Sequence, residues 1–416
     1  MVNKLRKIGF SKLTSLEDAL KTLLLRIELN PIEQVDLSKS LNRILATDII
    51  CEIDLPPFNR SAMDGYAIKA EDSFNASPKN PKQIKLVGKV EIGEYSNFIL
   101  NNGEAIRIST GAPIPEGADA VIKIEDTEIE GDIVNLYVSI PPWKNISKKG
   151  EDIKKGTHVL SKGTELKAEH IAFLTSLGFK YIQVRSKPKI SIFSSGDELL
   201  EPGEKLQPGK IYNSNTPMVS ALTNTYGGIV IRGETVEDDK NAIKIKLIDA
   251  TKDSQIIIFT GGTSVGTKDY LPEVIDEIGT ILIHGIAQRP GAPVLIGLLN
   301  NTLIFCLPGT PVAAYVSFLK IAGLAIRKML GASVLDPRIE IFATIGKDIP
   351  VSSLGYLHYL RVKLEKAKEE LIATPIKLKG SGIISSLIFS DGIVEIPPHQ
   401  EGLKKGDKVK VRLFPT

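Results

Sequence analysis

Three segments of this chain repeat one construction: a short apolar run, a loop of small and polar residues, then a helix start. Ile190-Ser191-Ile192-Phe193 leads into Ser194-Ser195-Gly196-Asp197-Glu198. Ile256-Ile257-Ile258-Phe259 leads into Thr260-Gly261-Gly262-Thr263-Ser264-Val265-Gly266, and Leu303-Ile304-Phe305-Cys306-Leu307 into Pro308-Gly309-Thr310-Pro311. Apolar runs of this kind suit parallel strands buried on both faces, which constrains the region to an open α/β sheet. Such sheets bind ligands outside the carboxyl ends of their strands. Backbone N–H groups in a glycine-rich loop, backed by a helix N-terminus, cradle anions. Three such loops, two of them carrying acids, point to an enzyme acting on a phosphorylated small molecule.

A chain of 416 residues exceeds one ordinary core and divides into roughly two to four domains. The balance of 52 basic and 49 acidic side chains, net +3, is too even for a nucleic-acid footprint. No apolar run is long enough to span a membrane. The basic N-terminus has no apolar stretch behind it, so no signal peptide is expected. Cys51 and Cys306 are too few and too far apart for a thiolate zinc site or a disulfide framework, and the five histidines lack ligand spacing. The reducing cytoplasm is the expected compartment.

Helical spacing covers Leu16 to about Leu25, with Ser15 and Asp18 placed as a capping box. A second helix is expected over Leu37 to about Ala46. Short strands follow at Ile84–Val90, Glu104–Ser109, Ala120–Glu125 and Ile133–Ser139, separated by turn residues. A helix at Ala168–Gly178 and a strand at Tyr181–Val184 pack back on the N-terminal helices, which makes the β unit an insertion. Alternating strands and helices run from Lys189 to about Gly331. Thr216-Pro217 and Thr310-Pro311 each read as a cap residue before a proline at the first helical position. After Asp336-Pro337 the tail is again strands: Ile339–Ile345, Leu357–Leu364, Glu370–Pro375 and Lys408–Leu413. The resulting division is 1–50 with 150–187, then 51–149, 188–335 and 336–416.

Each motif has a structural reading beside the functional one. The Thr260–Gly266 loop leaves amides free for a phosphate, with Thr263 and Ser264 as hydroxyl donors, or it is a plain strand-to-helix turn. Asp269 just beyond could hold a divalent cation or orient a nucleophile. Asp197 and Glu198 at a sheet edge are costly without a cation or a hydrogen-bonding ligand, or are solvated loop acids. Glu237-Asp238-Asp239 reads first as a helix N-terminal turn, with Asp238 a weak site candidate. Pro308-Gly309-Thr310-Pro311 is a rigid turn that can also line a pocket. Spacing alone does not make Pro56–Ala67 a site, and Arg107–Glu125 reads as a β-hairpin.

Seven segments in register resemble the molybdopterin molybdenumtransferase family, the MoeA and gephyrin E-domain type. They are Ser61–Ala67; Thr110-Gly111-Ala112 with Pro115–Val121; Gly150–Ile153; Ser195–Leu199; Ile211–Asn215; Gly261–Gly266 with Asp269-Tyr270; and Leu307–Val312. The resemblance implies a multidomain α/β plus β fold. Its parts are a split helical domain, an inserted β domain, a three-layer α/β molybdopterin-binding domain and a C-terminal β-barrel-like domain. It also implies a homodimer that binds adenylylated molybdopterin, hydrolyses the adenylate with release of AMP, and inserts molybdate or tungstate with the help of Mg2+. On that resemblance Ser214, Asn215, Gly261, Gly262, Thr263, Ser264, Gly266, Pro308, Gly309 and Pro311 cradle the pterin phosphate. Glu198, Asp238 and Asp269 act on the pyrophosphate, with Glu198 and Asp269 on the cation. Asp64, Thr110 and Asp152 match family active-site positions, and Asp64 is expected to act across the dimer. Arg361, Ser385 and Ser386 match a part that helps hold the oxyanion, where an arginine fork and hydroxyls suit a tetrahedral dianion.

Two departures stand out. Where the family commonly has two lysines flanking Pro-Gly, this chain has Gln288-Arg289-Pro290-Gly291-Ala292-Pro293. Arg289 keeps one charge and Ala292 loses the other. Asn59-Arg60 stands where Asp-Asn is common, and Arg60 is hypothesised to offset the missing lysine. The alternative functions are a molybdopterin adenylyltransferase, against which the extra domains count, and a non-catalytic cofactor-binding scaffold. The partners implied are a small-molecule substrate, the adenylyltransferase and the acceptor molybdo- or tungsto-enzymes.

Overall fold

The computed structural model describes residues 13–94, 97–262, 270–351, 353–376 and 380–415. They form two compact units, one within Asp48–Ser161 with Glu169–Lys180, the other of the remaining described residues.

The Asp48–Ser161 unit is built on a six-stranded sheet. Its strands are β1 (Gly65–Ile68), β2 (Lys82–Val90), β3 (Glu104–Ile108), β4 (Ala120–Lys123), β5 (Thr127–Glu130) and β6 (Ile133–Leu136), in the order β4-β1-β3-β2-β6-β5. Arg107–Glu125 is therefore not a hairpin: β3 and β4 both pair with β1, which lies between them. The start of β1 demands glycine, because a Cβ at Gly65 would lie 1.9 Å from the Ile122 carbonyl oxygen. Tyr66, Ile68, Ala105, Ile122 and Val134 make one core of this unit; Ala67, Ile106, Ile108 and Val121 make the other. A short ladder beside the sheet pairs Ser61 with Ile146 and Arg60 with Ser147.

In the second unit, α1 (Leu16–Leu24) starts as the sequence predicts, Ser15 Oγ accepting from the Asp18 N–H at 3.0 Å. The expected helix over Leu37–Ala46 is instead one 3-10 turn, Leu37–Lys39. Asp36 caps it through the Ser38 N–H, and Asn42 turns to φ +60. The amides of Asn42 and Leu45 then bond Leu166 and Thr164, so pairing with a distant segment replaces the helix.

The large sheet contains β7 (Lys189–Ser195), β8 (Ile229–Val236), β9 (Ile256–Thr260), β10 (Thr280–His284), β11 (Leu295–Leu299) and β12 (Thr302–Leu307), in the order β8-β7-β9-β12-β11-β10. Four strands are parallel, and β11 and β10 close the edge antiparallel. Every residue of β9 and β12 is buried, as the apolar runs require. Helices α2 (Asn215–Thr225), α3 (Lys240–Ala250) and α4 (Leu271–Ile278) lie in this region. One helical stretch follows, α5 (Pro311–Ser317), a π turn at Phe318–Ala322 and α6 (Gly323–Met329). Separate cores cover the two faces of the sheet, one centred on Ile192, Ile258 and Phe305, the other on Phe193, Phe259 and Ile304.

The tail is a closed five-stranded barrel of β13 (Glu340–Ile345), β14 (Leu357–Ala367), β15 (Glu370–Pro375), β16 (Gly392–Ile396) and β17 (Lys408–Leu413). The order β14-β15-β13-β17-β16 is completed by β16 pairing with β14. Closure leaves no unpaired edge. A short helix, α7 (Ser385–Ile388), precedes β16.

Candidate active site

The carboxyl edge of the parallel strands is tied together by buried polar side chains. Ser194 Oγ lies 2.6 Å from Thr260 Oγ1 and 2.7 Å from Thr216 Oγ1, joining the ends of β7 and β9 to the start of α2. The Asn213 Nδ2 group donates to Thr216 Oγ1 at 3.1 Å and to Thr235 Oγ1 at 2.9 Å. Asn213 Oδ1 accepts from the Thr216 N–H at 3.1 Å, so α2 begins with Ser214 as its cap. Thr216-Pro217 is consequently inside the first turn and not at its boundary. At α5 the expected arrangement holds, Thr310 being the cap and Pro311 the first helical residue.

Over this polar floor the three loops converge. Gly261 donates its N–H to the Leu307 carbonyl at 3.1 Å. A Cβ at Gly261 would sit 2.7 Å from the Ser195 carbonyl oxygen, and one at Gly309 would sit 3.3 Å from Gly261 Cα. Gly261 and Gly262 both have positive φ, +95° and +61°. Asn215 Nδ2 reaches across to the Gly309 carbonyl at 2.7 Å. Asn215, Gly261, Gly262 and Gly309 are thus brought together, with Ser214, buried Pro308 and half-buried Pro311 flanking them in sequence. Thr263, Ser264, Gly266 and Asp269 lie outside the described residues.

Sequence reasoning missed Ser195. Its Oγ and the Oδ1 of Asn215 are buried with no hydrogen-bond partner among the described residues. A Cβ at Gly262 would lie 3.4 Å from Ser195 Oγ, so the orphaned hydroxyl borders the glycine pair. Leaving such groups unpaired costs about 1–3 kcal/mol each, a cost that a polar ligand at this lip removes. A hydroxyl ending an apolar strand was the only signal available.

Asp197 and Glu198 are exposed just past β7. The Glu198 carboxylate folds back over Gly196, whose Cβ would lie 2.7 Å from Glu198 Oε2. Lys210 Nζ donates to the Asp197 carbonyl. Within the acidic triplet the helix-start reading holds for Asp239, whose Oδ1 accepts from the N–H groups of Asn241 and Ala242 at 2.9 Å. Asp238 is half-buried between β8 and α3. Among the described residues no three His, Cys, Asp or Glu side chains gather to hold a metal ion.

Gln288 and Arg289 form a short strand against the start of β14, Arg289 opposite His358. Gln288 is fully buried. Its amide donates to Gly291 O at 2.9 Å and Ser317 Oγ at 3.1 Å, and its Oε1 accepts from the Tyr359 hydroxyl at 3.3 Å. This anchoring leaves Arg289 exposed, its guanidinium 4.3 Å from the Tyr356 ring centre. Arg361 on β14 is 4% exposed, and burial pulls its pKa below the ordinary arginine value. The Val312 N–H in the first turn of α5 donates to Ser381 O at 3.1 Å, which joins the segment before α7 to the third loop. Ser385 is half-buried, whereas Ser386 is buried and commits its hydroxyl proton to Ile383 O at 2.6 Å.

In the Asp48–Ser161 unit, Asp64 Oδ1 accepts from the Thr110 N–H at 2.7 Å, with both residues exposed. Asp152 is also exposed, and its N–H donates to Leu55 O at 3.0 Å. Burial first, then the Asp152 charge, pushes the Cys51 thiol above its ordinary pKa. Glu151 is held below the usual carboxylate range by the Ser147 hydroxyl and the Lys148 N–H; its partial desolvation opposes this, and the Arg60 charge assists.

The fold is that of an open α/β sheet with glycine-lined strand exits, joined to a β unit and a closed β-barrel tail. Three family descriptions match: MoeA N-terminal region (domain I and II) over residues 14–178, probable molybdopterin binding domain over 191–328, and MoeA C-terminal region (domain IV) over 348–414. A Methanocaldococcus jannaschii protein named for molybdopterin biosynthesis is 38% identical over 417 residues, spanning 98% of this chain and 96% of that one. The molybdopterin molybdenumtransferase of Staphylococcus epidermidis is 35% identical over 402 residues, spanning 96% and 95%. The crystal structure of the molybdopterin biosynthesis moeA protein from Pyrococcus horikoshii superposes with a TM-score of 0.83 at 36% identity, covering 97% of this chain and 100% of that one. The chain belongs to the MoeA family of molybdopterin molybdenumtransferases. No helix among the described residues is long and apolar enough to cross a membrane.

Proposed function

We propose that this chain inserts molybdate or tungstate into adenylylated molybdopterin and releases AMP. The observation that carries the reading is the convergence of Gly261, Gly262, Gly309 and Asn215 over a closed polar floor, with the orphaned Ser195 hydroxyl and Asn215 carbonyl at its lip. That lip supplies donors and acceptors for a phosphoryl group without reorganisation, the preorganisation on which phosphoryl chemistry depends. Arg289, Arg361 and the Ser385 hydroxyl are the groups we assign to the oxyanion, while Ser386, its proton committed to Ile383 O, supports the segment that carries Ser385. Asp64, Thr110 and Asp152 are assigned to the same reaction by their family positions.

Glu198 and Asp269 carry hard oxygen donors, and Mg2+ commonly takes one or two carboxylates, completing its shell with water and substrate phosphates. We assign the ion to this pair, with Asp238 as the third acid on the pyrophosphate. Bound there, the ion would neutralise charge on the leaving phosphate. We also infer a homodimer working in the cytoplasm with the adenylyltransferase upstream and acceptor enzymes downstream.

The test supplies purified protein with adenylylated molybdopterin and molybdate, tungstate or neither, and measures AMP release and cofactor formation. Both should require an oxyanion and should fall in Glu198→Ala. ATP-dependent adenylylation of molybdopterin in place of AMP release would overturn the reading. Molybdate affinity unchanged in both Arg60→Ala and Arg289→Ala would reject their roles as anion-holding charges.

A further inference from the structure

We propose that the Trp143 face of the Asp48–Ser161 unit is a purine-nucleotide site, the indole stacking on the adenine ring while Lys148, Lys149 and Arg60 meet the phosphate. The inference takes its nucleotide, the adenylyl group, from the proposed reaction, and is otherwise independent of it.

Trp143 is the chain's one tryptophan, and it is 45% exposed. Its φ is +66°, a left-handed conformation that is a genuine outlier for a bulky side chain. The surrounding backbone imposes it. The Trp143 N–H donates to Asp119 O at 2.5 Å, and the Ala62 N–H donates to Asn145 O at 2.9 Å. Asn145 is left-handed as well, at φ +58°, and its Nδ2 donates to Val121 O at 2.8 Å. Strain of this kind persists where the fold over-determines it, and such positions cluster at ligand sites. Here the strained loop presents a large flat ring that contributes nothing to either core of the unit.

The ring sits in a cationic setting. Residues 143–149 contain three lysines and no acid, and all three lysines are exposed. Lys148 Nζ lies 4.6 Å from the indole centre, a cation–π distance. Register places exposed Arg60 opposite Ser147 in the adjoining ladder. The Lys149 N–H is fixed by Asn59 Oδ1 at 2.8 Å, so the basic stretch is held against residues 59–61. Glu151 is occupied by the Ser147 hydroxyl and the Lys148 N–H, and Asp54 faces Lys149 Nζ at 3.6 Å, a partly exposed pair worth little in water that a phosphate can displace. A ligand matching this face joins a flat aromatic ring to an anion. Base–aromatic stacking with basic side chains on the phosphate is how proteins hold nucleotides irrespective of base edge contacts.

Because Trp143 is the chain's one tryptophan, its emission reports this face alone in the full-length protein. Titration with 5′-AMP should quench it saturably. Adenosine should bind more weakly, and ribose 5-phosphate weaker by about tenfold or more, since ring stacking is absent. Trp143→Gly places the residue that favours positive φ at this position, so its melting temperature should be unchanged or higher. By equilibrium dialysis it should nevertheless bind AMP about tenfold more weakly, whereas Trp143→Phe retains most of the affinity. Equal binding of ribose 5-phosphate and AMP, or wild-type AMP affinity in Trp143→Gly, would overturn the inference. An unquenched protein that still releases AMP during metal insertion would refute this site and leave the proposed reaction standing. Quenching without metal insertion would do the reverse.

Discussion

Replacing Gly261 by alanine tests the loop convergence more sharply than removing any charged side chain. Two effects add at this position. Alanine at φ +95° enters a region that costs an L-residue about 1–2 kcal/mol. The new Cβ would also stand 2.7 Å from the Ser195 carbonyl oxygen, a backbone atom that cannot rotate away. Relieving that overlap by local shifts costs about 1–3 kcal/mol more. The expected loss of stability is therefore roughly 2–5 kcal/mol. Gly261 also borders Gly309, where a Cβ would lie 3.3 Å from Gly261 Cα, so a shift at this position disturbs the lip. Gly203→Ala separates the two effects: its φ is +100° and a Cβ there meets nothing within 4 Å. Denaturant unfolding should show about 1–2 kcal/mol lost in Gly203→Ala with AMP release intact. Gly261→Ala should lose more stability and most of its turnover. Equal stability loss in the two variants would refute the packing argument, and full turnover in Gly261→Ala would refute the cradle.

Asp64→Ala removes the carboxylate that holds the exposed Thr110 N–H; stability should change by about 1 kcal/mol or less, while AMP release falls by an order of magnitude or more if Asp64 acts in the reaction. Asp336 carries an acid-stability signature. Burial opposes its ionisation, but Arg338, assisted by the charges of Lys320 and Arg412, outweighs burial and holds the carboxyl below its usual pKa. The resulting stabilisation is complete above the ordinary aspartate pKa and is lost as pH falls through the depressed folded value, so Asp336→Asn should flatten the acid limb of the melting-temperature profile. Lys320, 6% exposed within the π turn, bonds Glu395 on β16 at 2.7 Å. Lys320→Met leaves Glu395 partly exposed and 3.9 Å from Arg412, so it should cost about 1.5–3 kcal/mol, the worth of one charge-assisted hydrogen bond; a variant as stable as the wild type would show that the pair contributes little.

The extent to which fold and site are legible in the sequence follows the distance over which each decision is made. The apolar runs of β7, β9 and β12 announce their burial locally, and so do the caps at Ser15, Asp239 and Thr310. Leu37–Ala46 also has helical spacing, yet Asn42 and Leu45 find partners at Leu166 and Thr164, more than a hundred residues away, and the helix is lost. The same cause turns Arg107–Glu125 from a hairpin into two strands flanking β1, whose insertion only Gly65 hints at. Barrel closure rests on β16 joining β14 and β17, and residues 392–396 carry no local sign of it.

Site residues divide in the same way. Gly261 and Gly262 are visible because their positive φ restricts the residue type, and Gly309 because a Cβ there would crowd Gly261. Ser195 and Asn213 are ordinary polar residues until β7, β9 and α2 meet, for only then are their side chains buried and their partners counted. Trp143 shows the limit from the other side. Its composition is conspicuous, but its left-handed backbone is set by Asp119 and Ile146, and that backbone distinguishes a presented ring from a packing residue. A functional side chain in this chain is thus recognisable from sequence where the backbone selects it, and from structure alone where the selection is made by what surrounds it.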